Sequence, residues 1–540
     1  MAPLLHGGRE LELSAGKTIF DYADNLKLRV PTSCRRNGEC HECIVDIRRG
    51  MDALSPLTES EDFLRETYRL ACQATIVDPD ADVEFSVLRR QPRILTDRIR
   101  REITPDPLTT RRDDGVYFGD ERIDDYRGQI YGLAADIGTT TVVLNVVDLE
   151  TAETVTTASF ENPQRFGGSD IMNRISYDEG PFRGEMQQVM LSSINFEIGD
   201  MARRIGFHRR RIYEVVIVGN ATMRDIFFGF DVETIGVKPY KSVTELEMER
   251  GEREGTALNV KASDLGLRVF PQANVYGGPL IGCHVGADVA ADLLATSMDE
   301  AEDVVMLVDV GTNTEVVLGN KERMISASCP AGPAFEGGQV TYGMPGYDGA
   351  VESVKLTDSG VQYRTIADAT PEGICGSGLV DLLSELRRTG MMNELGVFEN
   401  GDKEFAFVPE MDMTMSRADI SALAQAKSAN YCGQYIVLRN YGVPLDSISK
   451  MYLAGGFANY VDTSNAVNIG FIANVPSDRM VKVGNAALEG ATIMLLSGKM
   501  RRTMENMARR IEHVELETTP DFFDIFVEGC IFKPMPRTFA

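Results

Sequence analysis

Positive charge is scarce in this sequence. Its 540 residues hold 55 Lys and Arg against 81 Asp and Glu, a formal net charge of −26. A chain this acidic repels phosphate backbones and anionic lipid, which sets nucleic acid and membrane surfaces aside as main partners. Long apolar runs are missing too. Nothing approaches the ~20 residues that a membrane helix needs, and the first residues, MAPLLHGGRELELSAG, lack the apolar core of a signal peptide. The expected compartment is the cytoplasm. Cysteine is sparse, nine in all, too few and too unevenly spread for a disulfide scaffold. The remaining composition, 43% apolar and 25% charged, is that of an ordinary globular protein with enough chain for about three or four domains.

Residues 1–90 form one compositional unit. ELELSAG reads as a strand and turn, TIFDYADNLKL as a short helix, and CIVDIRRG and DVEFSVL alternate as half-buried strands. Several short strands around one helix make a small α+β domain. Residues 91–128 mix both charges densely, carry Pro92, Pro105 and Pro107, and lack a sustained apolar face. They read as a linker, helical in its first part, with a peripheral layer of the larger domain as the alternative.

From residue 130 the pattern becomes α/β, with β-branched runs ending in Gly-rich turns. It contains an internal repeat. Residues 131–144, YGLAADIGTTTVVL, match residues 305–318, VMLVDVGTNTEVVL. A second pair follows at similar offsets: VVIVGNATM at 215–223 and MYLAGGFANY at 451–460. Two elements repeated in order predict a duplicated domain with a cleft between its halves, giving lobes over 129–300 and 301–540.

Four of the nine cysteines crowd together. Cys34, Cys40, Cys43 and Cys72 have the spacing C-x5-C-x2-C-x28-C. Four thiolates so arranged suit a [2Fe–2S] cluster, one residue off the plant-type pattern in the first gap. Zinc and free core cysteines are the rival readings, although zinc sites more often use two close Cys pairs. Gly38 lets the loop turn, and Arg35 and Arg36 place positive charge near the sulfurs. His41, between two ligands, reads as a solvated loop residue. Cys283, Cys329, Cys375, Cys432 and Cys530 read as isolated small apolar side chains.

The two Gly-Thr turns, Asp136-Ile137-Gly138-Thr139-Thr140 and Asp309-Val310-Gly311-Thr312-Asn313, sit at strand ends. Glycine lets a polyphosphate approach the backbone, and threonine hydroxyls donate to phosphate oxygens. A carboxylate at the strand end holds Mg²⁺ directly or through water. Gly455 and Gly456 let a purine and ribose lie against the backbone. Gly484-Asn485-Ala486-Ala487 and IGCHVGADVAADLLA at 281–295 read as small-residue helices that pack where two lobes cross. Glu336, in SCPAGPAFEGGQVTYGMP, orients water for hydrolysis or is a surface loop carboxylate.

Over about residues 130–500 the chain resembles the ATPase superfamily of acetate kinase, sugar kinases, Hsp70 and actin, whose fold is a duplicated, ribonuclease H-like α/β frame with two lobes. DIGTTTVV from Asp136 and DVGTNTEVV from Asp309 resemble its two phosphate motifs, and LAGGFA from Leu453 its adenosine motif. Together with the C-x5-C-x2-C loop, GNATM, AGPAFEGG and GICGSGLVDLL, the whole chain resembles the reductive activators of corrinoid proteins. The resemblance implies an N-terminal β-grasp ferredoxin domain, a linker and the ATPase frame. It also implies a [2Fe–2S] cluster, ATP and Mg²⁺ as cofactors. The implied function is ATP-dependent transfer of one electron to the Co(II) corrinoid of a methyltransferase-system protein, restoring Co(I). An upstream electron donor is then required, and the family favours a homodimer. Two other readings stay open at this point: a redox-sensing small-molecule kinase, and a ferredoxin-type carrier with a non-hydrolysing actin-like scaffold.

Overall fold

The computed structural model describes residues 3–6, 9–87, 99–456 and 458–539. The first unit is a five-stranded sheet in the spatial order Arg9–Glu12, Pro3–His6, Val83–Val87, Ile44–Arg49, Tyr68–Leu70. Helix Ile19–Asn25 packs Ile19, Phe20, Tyr22 and Ala23 into the core. Thr18 and Asp21 form a capping box at its start, satisfying backbone N–H groups that the first turn leaves open. This is the α+β arrangement expected for the first 90 residues.

The stretch read as a linker is different. Residues 91–98, and with them most of the expected helix, lie outside the described residues. The rest is no free connector. Thr109–Arg112, Gly115–Phe118 and Glu121–Asp125 form a three-stranded antiparallel sheet. Thr109 Oγ1 donates to Glu214 Oε2 at 2.8 Å, and the Tyr213 hydroxyl to Asp124 Oδ2 at 2.9 Å. Upstream, the Asp106 backbone bonds to Leu496 and Gly498, and Arg101 reaches the Leu294 carbonyl at 2.9 Å. The mixed charge belongs to the solvated side of this sheet, where Arg112 pairs with Asp120 and Arg122 with Asp125.

The repeat seen in the sequence becomes two sheets of the same order. The first runs Thr154–Glu161, Thr141–Asp148, Tyr131–Ile137, Ile212–Val218, Asn274–Gly277, with Leu258–Lys261 added at its edge. The second runs Met324–Cys329, Thr314–Gly319, Val305–Val310, Lys450–Ala454, Met480–Gly484, with Glu512–His513 beside the first of these. In both, the phosphate-motif strand lies antiparallel to the next strand in sequence and parallel to the second repeated element. Central strands such as Ile212–Val218 are buried along their whole length, as parallel strands covered on both faces must be.

Helices Ala287–Ala295 and Ala486–Leu496 cross between the lobes, as their small residues led us to expect. A Cβ on Gly490 would overlap the Ala291 carbonyl oxygen, so this crossing admits only glycine there. A smaller sheet of Ala350–Thr357, Gly360–Thr365 and Gly373–Ile374 precedes helix Gly376–Arg388 in the second half. Apolar packing is continuous from the first domain into the first lobe, through Phe63, Phe166 and Tyr177. Among the described residues, no helix is long and apolar enough to cross a membrane.

Candidate functional site

Cys34, Cys40 and Cys43 lie in the loop between the first helix and strand Ile44–Arg49, and Cys72 follows strand Tyr68–Leu70. The loop turns sharply. Arg35, Arg36 and His41 all adopt positive φ, and at Gly38 (φ +90°) a Cβ would press on Ser60 and Gln73. The thiols, all unbridged, stand as two neighbouring pairs, Cys34 beside Cys40 and Cys43 beside Cys72. Burial pushes the Cys34 thiol up, but the Cys40 thiol and loop N–H groups outweigh it and bring it down to about 7. Cys43 donates to Cys72 and lowers it to about 6, so Cys43 is itself pushed up. Each pair therefore carries one readily formed thiolate, the form that ligates metal. Gln73 Nε2 donates to Cys72 Sγ at 3.3 Å. Among the described residues, no three His, Cys, Asp or Glu side chains are placed to hold one metal ion. Two pairs suit two irons, with two thiolates each, better than one tetrahedral zinc.

Two neighbours differ from expectation. The Arg36 charge is shared with a carboxylate: it pairs with Asp24 at 2.6 Å and stacks on Phe20. His41 is not a solvated loop residue. Its Nδ1 is 2.8 Å from Glu185 Oε2 of the first lobe, and its ring stacks on Phe63 at 4.2 Å between centroids.

The second site is a cleft of about 310 Å³ between the lobes. Both Gly-Thr turns line it, together with Gly455, Gly456 and Glu336. Each turn is closed by a backbone bond, Gly138 N to Thr141 O and Gly311 N to Asn313 O, both 3.0 Å. Gly455 has φ +99° and abuts the Val310 carbonyl, so the third motif needs glycine to lie against the second turn. Thr140 and Thr312 both donate to Glu336 Oε2, at 3.1 and 2.5 Å. Glu336 is thus no surface carboxylate: burial raises its pKa, while Thr312 and Thr140 pull it back. Asn220 Nδ2 donates to Thr139 Oγ1 at 3.1 Å, and Asn485 Nδ2 to Asp136 Oδ2 at 2.8 Å. Both asparagines also cap helices, so the helix starts and the turns are fixed together.

The cleft gathers more carboxylates than the motifs announce. Burial lifts Asp136 to about 7, with Asn485 opposing it and the charge of Asp309 adding to it. Burial lifts Asp309 to about 6. Asp288, Asp292 and Glu315 are pushed well up, first by burial and then by their acidic neighbours. These three escaped the sequence reading. The available signal was the i, i+4 spacing of Asp288 and Asp292 on an otherwise apolar helix. Among the described residues, no lining side chain of the cleft is basic. The cleft lining therefore offers a polyphosphate no positive side chain.

Three family profiles cover most of the chain in order. They are the 2Fe-2S iron-sulfur cluster binding domain over residues 5–77, the RACo middle region over 131–301, and the C-terminal ASKHA domain of RACo over 303–539. The first unit is therefore a [2Fe–2S] ferredoxin domain and the last an ASKHA-type nucleotide-binding domain. The corrinoid activation enzyme RamQ of Eubacterium limosum is 27% identical, with 98% of each chain covered. The [Co(II) methylated amine-specific corrinoid protein] reductase of Methanosarcina barkeri is 22% identical over 74% of this chain and 76% of its own. Among solved structures, a reductive activator for corrinoid, iron-sulfur protein matches with a TM-score of 0.71 and 27% identity, covering 99% of this chain and 98% of that one.

Proposed function

The chain belongs to the family of reductive activators of corrinoid proteins, and from that premise we propose that it returns an oxidised corrinoid protein from Co(II) to Co(I) at the expense of ATP. A [2Fe–2S] cluster held by Cys34, Cys40, Cys43 and Cys72 would supply the single electron that takes Co(II) to Co(I), and an upstream donor would restore that electron. The carrying observation is colinearity: ferredoxin, middle and ASKHA units occur in one chain in the order of whole-length relatives named as corrinoid activators.

In this reading Cys34, Cys40, Cys43 and Cys72 would together hold the cluster. The Gly138–Thr140 and Gly311–Asn313 turns receive the phosphates of ATP from opposite lobes, and Gly455 and Gly456 the adenosine. Asp136 and Asp309, with Asp288 nearby, would hold Mg²⁺ directly or through water. Glu336 orients the attacking water once phosphate oxygens have taken over the two threonine hydroxyls. Plant-type clusters sit near about −400 mV, and Co(II) corrinoids are in general harder to reduce. ATP helps only by acting differently on two states of the complex, and a cleft whose walls belong to different lobes is suited to that.

The test is anaerobic. Reconstituted protein, a reductant and ATP are mixed with a Co(II) corrinoid protein of a methyltransferase system, and the Co(I) absorption band is followed. The expected result is Co(I) formation that needs ATP and disappears in Asp309→Ala, whose visible cluster spectrum stays intact. Activation that persists in Asp309→Ala overturns the ATPase role, and a protein that takes up no cluster overturns the whole reading.

A further inference from the structure

The phosphate turn of the first lobe is joined to the cluster domain by two separate chain segments. The first is helix Ile171–Asp178. The buried Arg174 donates through Nη2 to the Thr139 carbonyl at 2.7 Å and through Nε to the Gly168 carbonyl at 3.1 Å. One turn further along the same helix, the buried Tyr177 donates its hydroxyl to the Phe63 carbonyl of the ferredoxin domain at 2.5 Å. The second segment is 162–167. Asn162 Nδ2 donates to the Gly138 carbonyl at 2.8 Å, and its backbone N to the Thr140 carbonyl at 2.7 Å. Four residues on, the Phe166 ring stands edge-on to Phe63 and to Tyr177, each at 5.4 Å. All three carbonyls of Gly138-Thr139-Thr140 are thus held by segments whose other ends meet at Phe63. Phe63 in turn stacks on His41, the residue between Cys40 and Cys43 that Glu185 holds.

We propose that this pair of segments makes the seating of the ferredoxin domain depend on the nucleotide, with Asn162, Phe166, Arg174 and Tyr177 as positioning residues. The inference rests on the reading that the Gly138–Thr140 turn binds phosphate. Asn162, Arg174 and Tyr177 are fully buried, and side chains packed to crystal density shift together with their neighbours. A turn that adjusts to a polyphosphate therefore carries its carbonyls, and the groups bonded to them, along with it. The seat has two further fixings on a different helix, His41 to Glu185 and Arg29 to Asp200 at 2.7 Å. Coupling between two binding events is reciprocal by thermodynamic necessity. Loosening the seat at Glu185, which does not line the cleft, must therefore change the affinity of the cleft for nucleotide.

The experiment measures the dissociation constant of Mg²⁺–AMP-PNP by calorimetry on full-length, cluster-loaded protein. The wild type is compared with Glu185→Gln, Asp200→Asn and Tyr177→Phe. Loss of one such hydrogen bond corresponds to about five-fold in an equilibrium, so Glu185→Gln and Tyr177→Phe are expected to shift the constant about three- to five-fold in the same direction. In the wild type, AMP-PNP should also change hydrogen exchange at residues 61–70 of the ferredoxin domain. Nucleotide binding with the same constant in all four proteins, and exchange at 61–70 unaltered, overturns the inference and leaves the proposed function standing. A wild type that binds no nucleotide removes the proposed function itself. Should Tyr177→Phe fold poorly, the half-exposed Glu185→Gln carries the test alone.

Discussion

Thr140 and Thr312, 172 residues apart and on opposite lobes, lie 3.5 Å from each other at their hydroxyls and donate to one oxygen of Glu336. The carboxylate bridges the cleft where the two phosphate turns face each other. Under the proposed function an incoming polyphosphate would compete for both hydroxyls and free the carboxylate as it binds. Glu336→Gln keeps an acceptor for the threonines and removes the proposed base. Hydrolysis should slow by about 100-fold or more, the usual worth of a general base, while nucleotide affinity changes little. Steady-state ATPase assays and calorimetry on the same samples check this; an unchanged turnover would remove Glu336 from the chemistry.

Asp136 gives the nucleotide-free protein a pH signature. Its carboxyl titrates near about 3.9 when unfolded and is lifted to about 7 by burial in the fold. Between those values the folded state keeps a proton that the unfolded state has lost. The stability contributed by this group is therefore present in full below about pH 4 and lost as pH rises through about 7. Asp136→Asn should flatten the dependence of Tm on pH between about pH 5 and about pH 8 in nucleotide-free protein, relative to wild type. Mg²⁺–nucleotide affinity in the wild type should run the other way, weakening as the pH falls through the same window. A variant with the wild-type slope would refute the assignment.

Replacing Cys40 by Ala leaves Cys34 without its partner while the Cys43–Cys72 pair stands. The visible cluster absorption should be lost and electron delivery should stop. Nucleotide binding should persist within a few-fold, because the cleft lies in other units. Absorption spectra and AMP-PNP calorimetry on one preparation separate the two effects.

Gly490→Ala sets two magnitudes against each other. Helix propensity alone favours alanine by about 1 kcal/mol. The added methyl meets the Ala291 carbonyl at the crossing of the interlobe helices, and overpacking of this kind costs about 1–3 kcal/mol. The steric cost should win, so denaturant unfolding is expected to show net destabilisation. A stabilised variant would mean that the crossing relaxes freely.

The sequence disclosed what is written locally. The cysteine quartet announces itself by spacing within 39 consecutive residues, 34–72. The duplicated frame is visible because the same strand-turn-strand text occurs twice, and the two sheets share one strand order. Features made by distant segments stayed hidden. Asp288, Asp292 and Glu315 become site residues only because two lobes bring them beside Asp136 and Asp309. His41 acquires its role from Glu185, 144 residues away. Residues 109–125 read as a linker because a small solvated sheet needs little apolar surface. It is held instead by polar bonds to Glu214 and Tyr213 that no local pattern foretells.

The anchoring of Asp106 and Arg101 beside the crossing helices also makes a tether. Asp106 bonds to Leu496 and Gly498 at the end of one crossing helix, and Arg101 to Leu294 near the end of the other. Any swing of the lobes about that crossing would therefore drag the small sheet of residues 109–125 along with it.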